Sequence, residues 1–137
     1  MLISPCEEAE IPAVIALWHA CQLTRPWNDP ERDLRFALKG PASTVLVGKV
    51  DGVLMASVMA GHDGHRGALY YLSVSPERQG KGLGRAIHDA AVSWLREHGV
   101  WKINLMVRSD NDQVKGFYEA LGYDTNDVLS FGKRVDQ

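Results

Sequence analysis

The residues best suited to chemistry lie in the run Val74-Ser75-Pro76-Glu77-Arg78-Gln79-Gly80-Lys81-Gly82-Leu83-Gly84-Arg85. Glycines at 80, 82 and 84 let successive backbone N–H groups turn toward one point with no Cβ atom in the way. The run leaves a β-rich stretch and enters a helical pattern, and a helix N-terminus adds unpaired donors and the positive end of the dipole. Such a place suits a phosphate or pyrophosphate. Arg78, Lys81 and Arg85 add positive charge around it. Two familiar phosphate loops are excluded. A Walker A loop needs Ser or Thr after Gly-Lys, but Gly82 follows Lys81. The dinucleotide fingerprint G-x-G-x-x-G fails at its third glycine, which falls on Ile87 or Arg85. The alternative is a glycine-rich strand-to-helix turn that binds nothing.

A second group, His62, Asp63 and His65, invites a metal reading, but it has turn spacing and lacks a third convincing ligand, so no metal site is expected. His65 or Asp63 as a base is the competing use; a solvated turn is the plain one. Cys6 and Cys21 stand outside any C-x-x-C spacing and read as reduced thiols.

These groups need elements to hold them. Ile11, Val14, Ile15, Trp18 and Cys21 recur at helical spacing, which predicts a helix over 8–22. Asp29 is placed to cap, and Pro30 to start, a second helix carrying Leu34, Phe36, Ala37 and Leu38, which stops at Gly40-Pro41. Residues 44–50 and 53–60 are β-rich and flank Asp51-Gly52, a strong hairpin signal. Residues 61–67 form a second turn, and 68–75 a further strand. A long helix over 82–98 shows the stripe Leu83, Ile87, Ala90, Ala91, Trp94 and Leu95, and Gly99 ends it. Trp101, Ile103, Leu105 and Val107 alternate with polar or exposed-type neighbours as a strand. Asp110 or Asn111 opens a short helix with Val114, Phe117, Tyr118 and Leu121, closed by Gly122, and 123–125 and 128–134 read as last strands. With a weak first strand the order is β-α-α-β-β-β-α-β-α-β-β, an α/β mixture with antiparallel hairpins before a parallel crossover.

Composition narrows the class. The chain has 137 residues, enough for a single domain spanning 1–137. Apolar residues make up 45% and charged ones 23%, which excludes wholesale disorder. With 15 basic and 17 acidic side chains and a formal charge of −2, neither a general nucleic-acid grip nor a polybasic membrane patch is expected. Met1-Leu2-Ile3-Ser4-Pro5 lacks the basic and apolar regions of a signal peptide. No stretch approaches the ~20 apolar residues of a membrane span. The expected setting is cytoplasmic.

Two motifs together carry a resemblance. Gln79-Gly80-Lys81-Gly82-Leu83-Gly84 matches the Q/R-x-x-G-x-G/A acetyl-CoA loop of the Gcn5-related N-acetyltransferase (GNAT) superfamily. Asn111-Asp112-Gln113-Val114-Lys115-Gly116-Phe117-Tyr118-Glu119-Ala120-Leu121-Gly122-Tyr123 is similar to its second motif, N-x-x-A-x-x-F-Y-E-x-L-G-F, with Val114 for Ala and Tyr123 for Phe. The segments at 25–30 and 61–67 look like a narrower group of small bacterial acetyltransferases. The resemblance implies a GNAT-like α/β (α+β) fold. Its mixed, mostly antiparallel twisted sheet would hold about six to seven strands, with about four flanking helices and a splay between the fourth and fifth strands.

It also implies roles. Leu72 and Val74 would offer backbone groups to the pantetheine arm of acetyl-CoA, with the Leu72 N–H polarising the thioester carbonyl. Backbone amides around Gln79, Gly80, Lys81, Gly82, Gly84 and Arg85 would hold the pyrophosphate. Asn111 would bond the pantetheine or brace the splayed strands. Tyr118 would protonate the departing CoA thiolate as general acid; the competing role is a core aromatic beside Val114, Phe117 and Leu121. Some relatives that acetylate protein N-termini carry Glu in an L-E-V-R context, whereas this chain reads Leu105-Met106-Val107-Arg108. Met106 takes no proton, which weakens a ribosomal-protein N-terminal role.

By family position the acceptor lies near residues 25–30. Trp27 would wall the substrate, Asp29 or Glu31 would meet an ammonium, and Arg25 would hold a carboxylate. Loop packing and a helix cap at Asp29 are the competing readings. The implied reaction is acetyl transfer to a primary amine in a ternary complex. The alternatives are a non-catalytic acetyl-CoA-binding regulatory module and, less favoured, a nucleotide-binding domain. Exposed sheet edges make a homodimer compatible with such a fold.

Overall fold

The computed structural model describes residues 1–136. They divide into two compact units, residues 1–105 and the residues from Met106 on.

The first unit is a sheet covered on both faces. Its strands are β1 (Leu2–Pro5), β2 (Ser43–Val50), β3 (Val53–His62) and β4 (Gly67–Val74), antiparallel in the order β1-β2-β3-β4. The β2–β3 hairpin turns on Asp51 and Gly52 at φ +51° and +79°. Positive φ at both central residues is the turn whose twist matches that of the flanking strands. Helices α1 (Ile11–Ala20) and α2 (Pro30–Lys39) serve one face of the sheet, and α3 (Leu83–Glu97) the other. Residues on β2 sort between them by the period of two. Val45 and Val47 join Ile11, Val14, Trp18, Leu34 and Ala37, while Leu46 joins Ile87, Ala91 and Leu95 with Ala56, Val58, Ala60, Leu69 and Val74.

The helices follow the expected spacing. Glu8–Glu10 forms a 3-10 turn ahead of α1. Asp29 caps α2, its carboxylate accepting from the Arg32 N–H at 3.1 Å, and Pro30 sits in the first turn. Replacing Asp29 by Ala should therefore lower stability by about 1 kcal/mol, read as an earlier midpoint in urea. Phe36 does not join Leu34 and Ala37 in the core; it is exposed.

Strand β4 is irregular. Ser57 pairs with Ser73 and Met59 with Tyr70, so Val58 alone stands opposite Tyr71 and Leu72. The extra residue makes a β-bulge, with Tyr71 at φ +53°.

The strand count differs from expectation. Among the described residues four strands are paired, and residues 101–107 form no fifth. Ile103 makes one isolated parallel bridge to Gly67, where the Gly67 N–H donates to Lys102 O at 3.0 Å and the Asn104 N–H to Gly67 O at 2.9 Å. Ile103 and Leu105 still pack on the α3 side. Trp101 instead lies exposed under the Arg66 guanidinium, 4.4 Å from the ring centre.

The second unit holds α4 (Asp112–Ala120), capped by Asn111, whose side chain accepts from the Val114 N–H at 3.1 Å. Gly122 closes it at φ +94°, its N–H donating to Glu119 O at 3.0 Å. Residues 123–125 and 128–134 form no strand. An alternating pattern marks two faces but supplies no ladder partner, and Val128, Leu129 and Phe131 are exposed. Among the described residues no helix is long and apolar enough to cross a membrane.

Candidate active site

The glycine run begins where β4 ends. The Val74 carbonyl accepts from the Gln79 side-chain amide and from the Cys21 thiol, each at 3.2 Å. The Ser75 N–H donates to Met55 O at 2.7 Å, and Pro76–Arg78 form a 3-10 turn. Gly80 and Gly82 then take φ of +79° and +80°. A Cβ at either position would meet nothing within 4 Å. Glycine is needed there for backbone conformation, and the backbone faces open space. Gly84, by contrast, lies inside α3.

Gly82 is the N-cap of α3, in left-handed conformation and without a side-chain cap, and the first turn holds no acidic residue. Unlike α2 and α4, α3 presents its first N–H groups with no carboxylate or amide of its own. Lys81 and Arg85 are exposed beside it, and Arg85 lies 3.9 Å from Asp89.

Upstream, Leu72 and Val74 both face the α3 cluster. Tyr71 turns the other way and stacks on Trp18, with ring centres 3.9 Å apart and planes 9° apart. Its hydroxyl donates to Asp33 Oδ2 on α2 at 3.0 Å, and Trp18 Nε1 donates to Ser57 Oγ at 3.3 Å. Burial, then the bond to Asp33, pushes the Tyr71 phenol up to about 12. This group was not foreseen from sequence. Its one signal was the consecutive pair Tyr70-Tyr71, which breaks the period of two.

In the second unit Tyr118 lies on α4, edge-on to Phe117 at 5.1 Å and to Tyr123 at 5.5 Å. Burial, with a smaller contribution from Tyr123, raises its phenol to about 12. Asn111, expected to meet pantetheine or brace strands, uses its side-chain oxygen as the α4 cap.

Three of the four expected acceptor residues, Arg25, Asp29 and Glu31, carry local roles. Arg25 donates to Gln22 O and Thr24 O at 2.9 Å, which satisfies carbonyls just beyond α1. Asp29 is the cap already described, and Glu31 accepts from Arg35 at 3.2 Å. Trp27 is 58% exposed. At the β3–β4 turn, Asp63 accepts from the His65 and Arg66 N–H groups at 2.9 and 2.7 Å, bonds that hold its carboxyl below the ordinary range.

The sequence matches the acetyltransferase (GNAT) family over residues 13–123. The chain belongs to that family. A Yersinia enterocolitica protein named as an acetyltransferase is 45% identical to it, over 100% of this chain and 99% of the relative. Among solved structures, AAC(6')-Iy in complex with the bisubstrate analog CoA-S-monomethyl-acetylneamine superposes with a TM-score of 0.82 at 17% identity, over 97% of each chain. The ribosomal-protein-S18-alanine N-acetyltransferase of Escherichia coli does so at 0.72 and 26% identity, over 88% of this chain and 76% of that one. The protein is thus an N-acetyltransferase of GNAT fold, and acetyl-CoA is its cosubstrate.

The loop fits that cosubstrate. Two left-handed glycines open onto free space, and an uncapped helix start follows, as a pyrophosphate requires. A non-glycine residue in the left-handed region costs roughly 1–2 kcal/mol, and Asn tolerates it best. A Gly82→Ala loop relaxes out of the left-handed region when free and must return to it on binding, so acetyl-CoA binding should weaken by up to about 10-fold, and in Gly82→Asn distinctly less. Calorimetric titration of the two variants reads the difference.

Proposed function

We propose that this acetyltransferase, working as one domain over its 137 residues, transfers the acetyl group to a primary amine of a small molecule or peptide by direct attack in a ternary complex. The observation that carries the reading is the bulged end of β4 running into a left-handed glycine loop and an uncapped α3. In this reading the backbone N–H groups from Gln79 to Arg85 hold the pyrophosphate. Leu72 and Val74 bond the pantetheine arm, and Asn111 contributes through the side-chain amide that its cap leaves over. The Leu72 N–H donates to the thioester oxygen as negative charge develops there.

The amine nitrogen forms its bond to the acetyl carbon while the carbon–sulfur bond breaks. Tyr118 gives its phenolic proton to the departing sulfur and is reprotonated from solvent. The proton lost by the amine passes to water, because Met106 stands at the sequence position where some relatives carry Glu.

The acceptor class is open to the short segment at 25–30. Trp27 supplies an exposed aromatic wall, with Arg25, Asp29 and Glu31 the charged groups beside it in sequence. Structures of this fold occur with either kind of acceptor: one holds an acetylneamine analog, and another is named for a ribosomal protein's alanine. Met106 weighs toward small amines. The test is acetyl-CoA-dependent thiol release over amino acids, polyamines, aminoglycosides and peptide N-termini. Amine-dependent release with recovery of the acetylated amine supports the reading. Acetyl-CoA binding with no transfer to any of them supports a regulatory module.

A further inference from the structure

The bulge in β4 is needed for the strand's own faces to come out right. Leu69, Leu72 and Val74 all pack toward α3, while Tyr71 packs toward α1 and α2. Uninterrupted alternation from Leu69 would send Tyr71 and Ser73 to the α3 face and turn Leu72 and Val74 away from it. One extra residue opposite Val58 corrects the parity. The correction puts Tyr71 at φ +53°, a conformation that is costly for a bulky residue and persists only where the surroundings over-determine it.

Three elements over-determine it. Trp18 on α1 is fully buried and stacks nearly parallel on the Tyr71 ring. Trp18 is itself pinned through Nε1 to Ser57 on β3. Asp33 on α2 takes the Tyr71 hydroxyl at 3.0 Å. Ser57 is also the ladder partner of Ser73, and Ser73 Oγ donates to Ser57 O at 3.4 Å. The backbone is thus held on both sides of Leu72.

The Leu72 N–H lies in the plane of the peptide bond between Tyr71 and Leu72, because that bond is planar. The torsions of Tyr71 therefore set where the N–H points. We infer that Trp18, Tyr71 and Asp33 form a clamp that fixes the β4 bulge and so aims the Leu72 backbone N–H. This rests on the proposed function, which gives that N–H to the thioester oxygen. Tyr71 and Asp33 are then positioning residues: they act through the backbone beside them. The phenol stays protonated through neutral pH, so its bond to Asp33 is a permanent one.

The test reads the polarisation itself. The carbonyl stretch of acetyl-CoA carrying carbon-13 at the thioester carbon is measured by difference infrared spectroscopy, free and bound. Bound to the unaltered protein, the stretch falls to lower wavenumber. Tyr71→Phe removes the hydroxyl and Asp33→Ala its acceptor. Each should lose most of that lowering while acetyl-CoA affinity, to which the pyrophosphate loop and the rest of the pantetheine contacts contribute, changes less than about 3-fold. Asp33→Asn still offers an acceptor oxygen and should restore the lowering, a rescue that a merely structural role does not require. If any one variant fails to fold, the remaining comparisons carry the same test. Equal lowering in the unaltered protein, Tyr71→Phe and Asp33→Ala overturns the clamp and leaves the proposed function standing. No lowering in the unaltered protein with acetyl-CoA bound overturns the role of Leu72, and the clamp with it.

Discussion

Tyr118→Phe is expected to lower turnover by about 10²-fold or more, the usual worth of a positioned general acid, while folding and acetyl-CoA affinity are retained. The change removes one oxygen and keeps the ring that meets Phe117 and Tyr123 edge-on. An ordinary tyrosine ionises near 10, but burial raises Tyr118 to about 12. The phenol therefore still carries its proton throughout the neutral range in which thiol release is assayed. If Tyr118 is the acid, its loss of function with rising pH belongs near 12 rather than 10. The stability contributed by keeping the buried phenol neutral is complete below its ordinary value and is lost as pH rises through the folded one. Turnover is measured by thiol release with the amine returned by the screen, and affinity by calorimetry. Undiminished turnover in the variant would remove Tyr118 from the mechanism and leave it as the aromatic of a helical stripe.

Trp18→Ala is expected to cost about 3–5 kcal/mol of folding stability. Trp18 is fully buried, packs among Ile11, Val14, Leu34, Val45 and Val47, and supports Tyr71 face to face. Truncation leaves a cavity, removes the partner of Ser57 Oγ and takes away the stack that holds a residue in the left-handed region. Domains of this kind have only ~5–15 kcal/mol in total, so the variant should stand near the edge of unfolding. Urea denaturation followed by circular dichroism measures it. Trp27→Ala is the control: that ring is mostly exposed, and its removal should shift stability by less than about 1 kcal/mol. Equal effects at both positions would contradict the placement of the first-unit core.

Much of the fold was legible because the signals were local. Asp29 before Pro30 marked a helix start, Asp51-Gly52 marked a hairpin, and the stripe of Ile87, Ala91 and Leu95 marked the helix on the far face. The glycine loop was legible for the same reason, since backbone conformation limits what Gly80 and Gly82 can be replaced by. What escaped was non-local. A bulge exists only relative to a partner strand, and Val58 opposite Tyr71 and Leu72 has no mark in the sequence beyond two adjacent tyrosines. Tyr71 stands 38 positions from Asp33 and farther still from Trp18, so no spacing rule gathers the group. The alternation at 101–107 has the period of a strand yet gains a single bridge, because the ladder also needs a neighbour at the right distance. Asp29 shows the opposite limit: one side chain fitted two roles on paper, and the cap is the one its carboxylate makes.

Acetyl transfer from acetyl-CoA to a primary amine in a ternary complex is the proposed reaction. The most direct measurement is the amine-panel thiol-release assay with mass spectrometry of the products. The expected result is release that requires an amine, saturates in both substrates with intersecting kinetic patterns, and yields one acetylated amine per thiol. Tight binding of acetyl-CoA with no acetylated product from any amine, or parallel patterns that signal an acetylated protein intermediate, would contradict it.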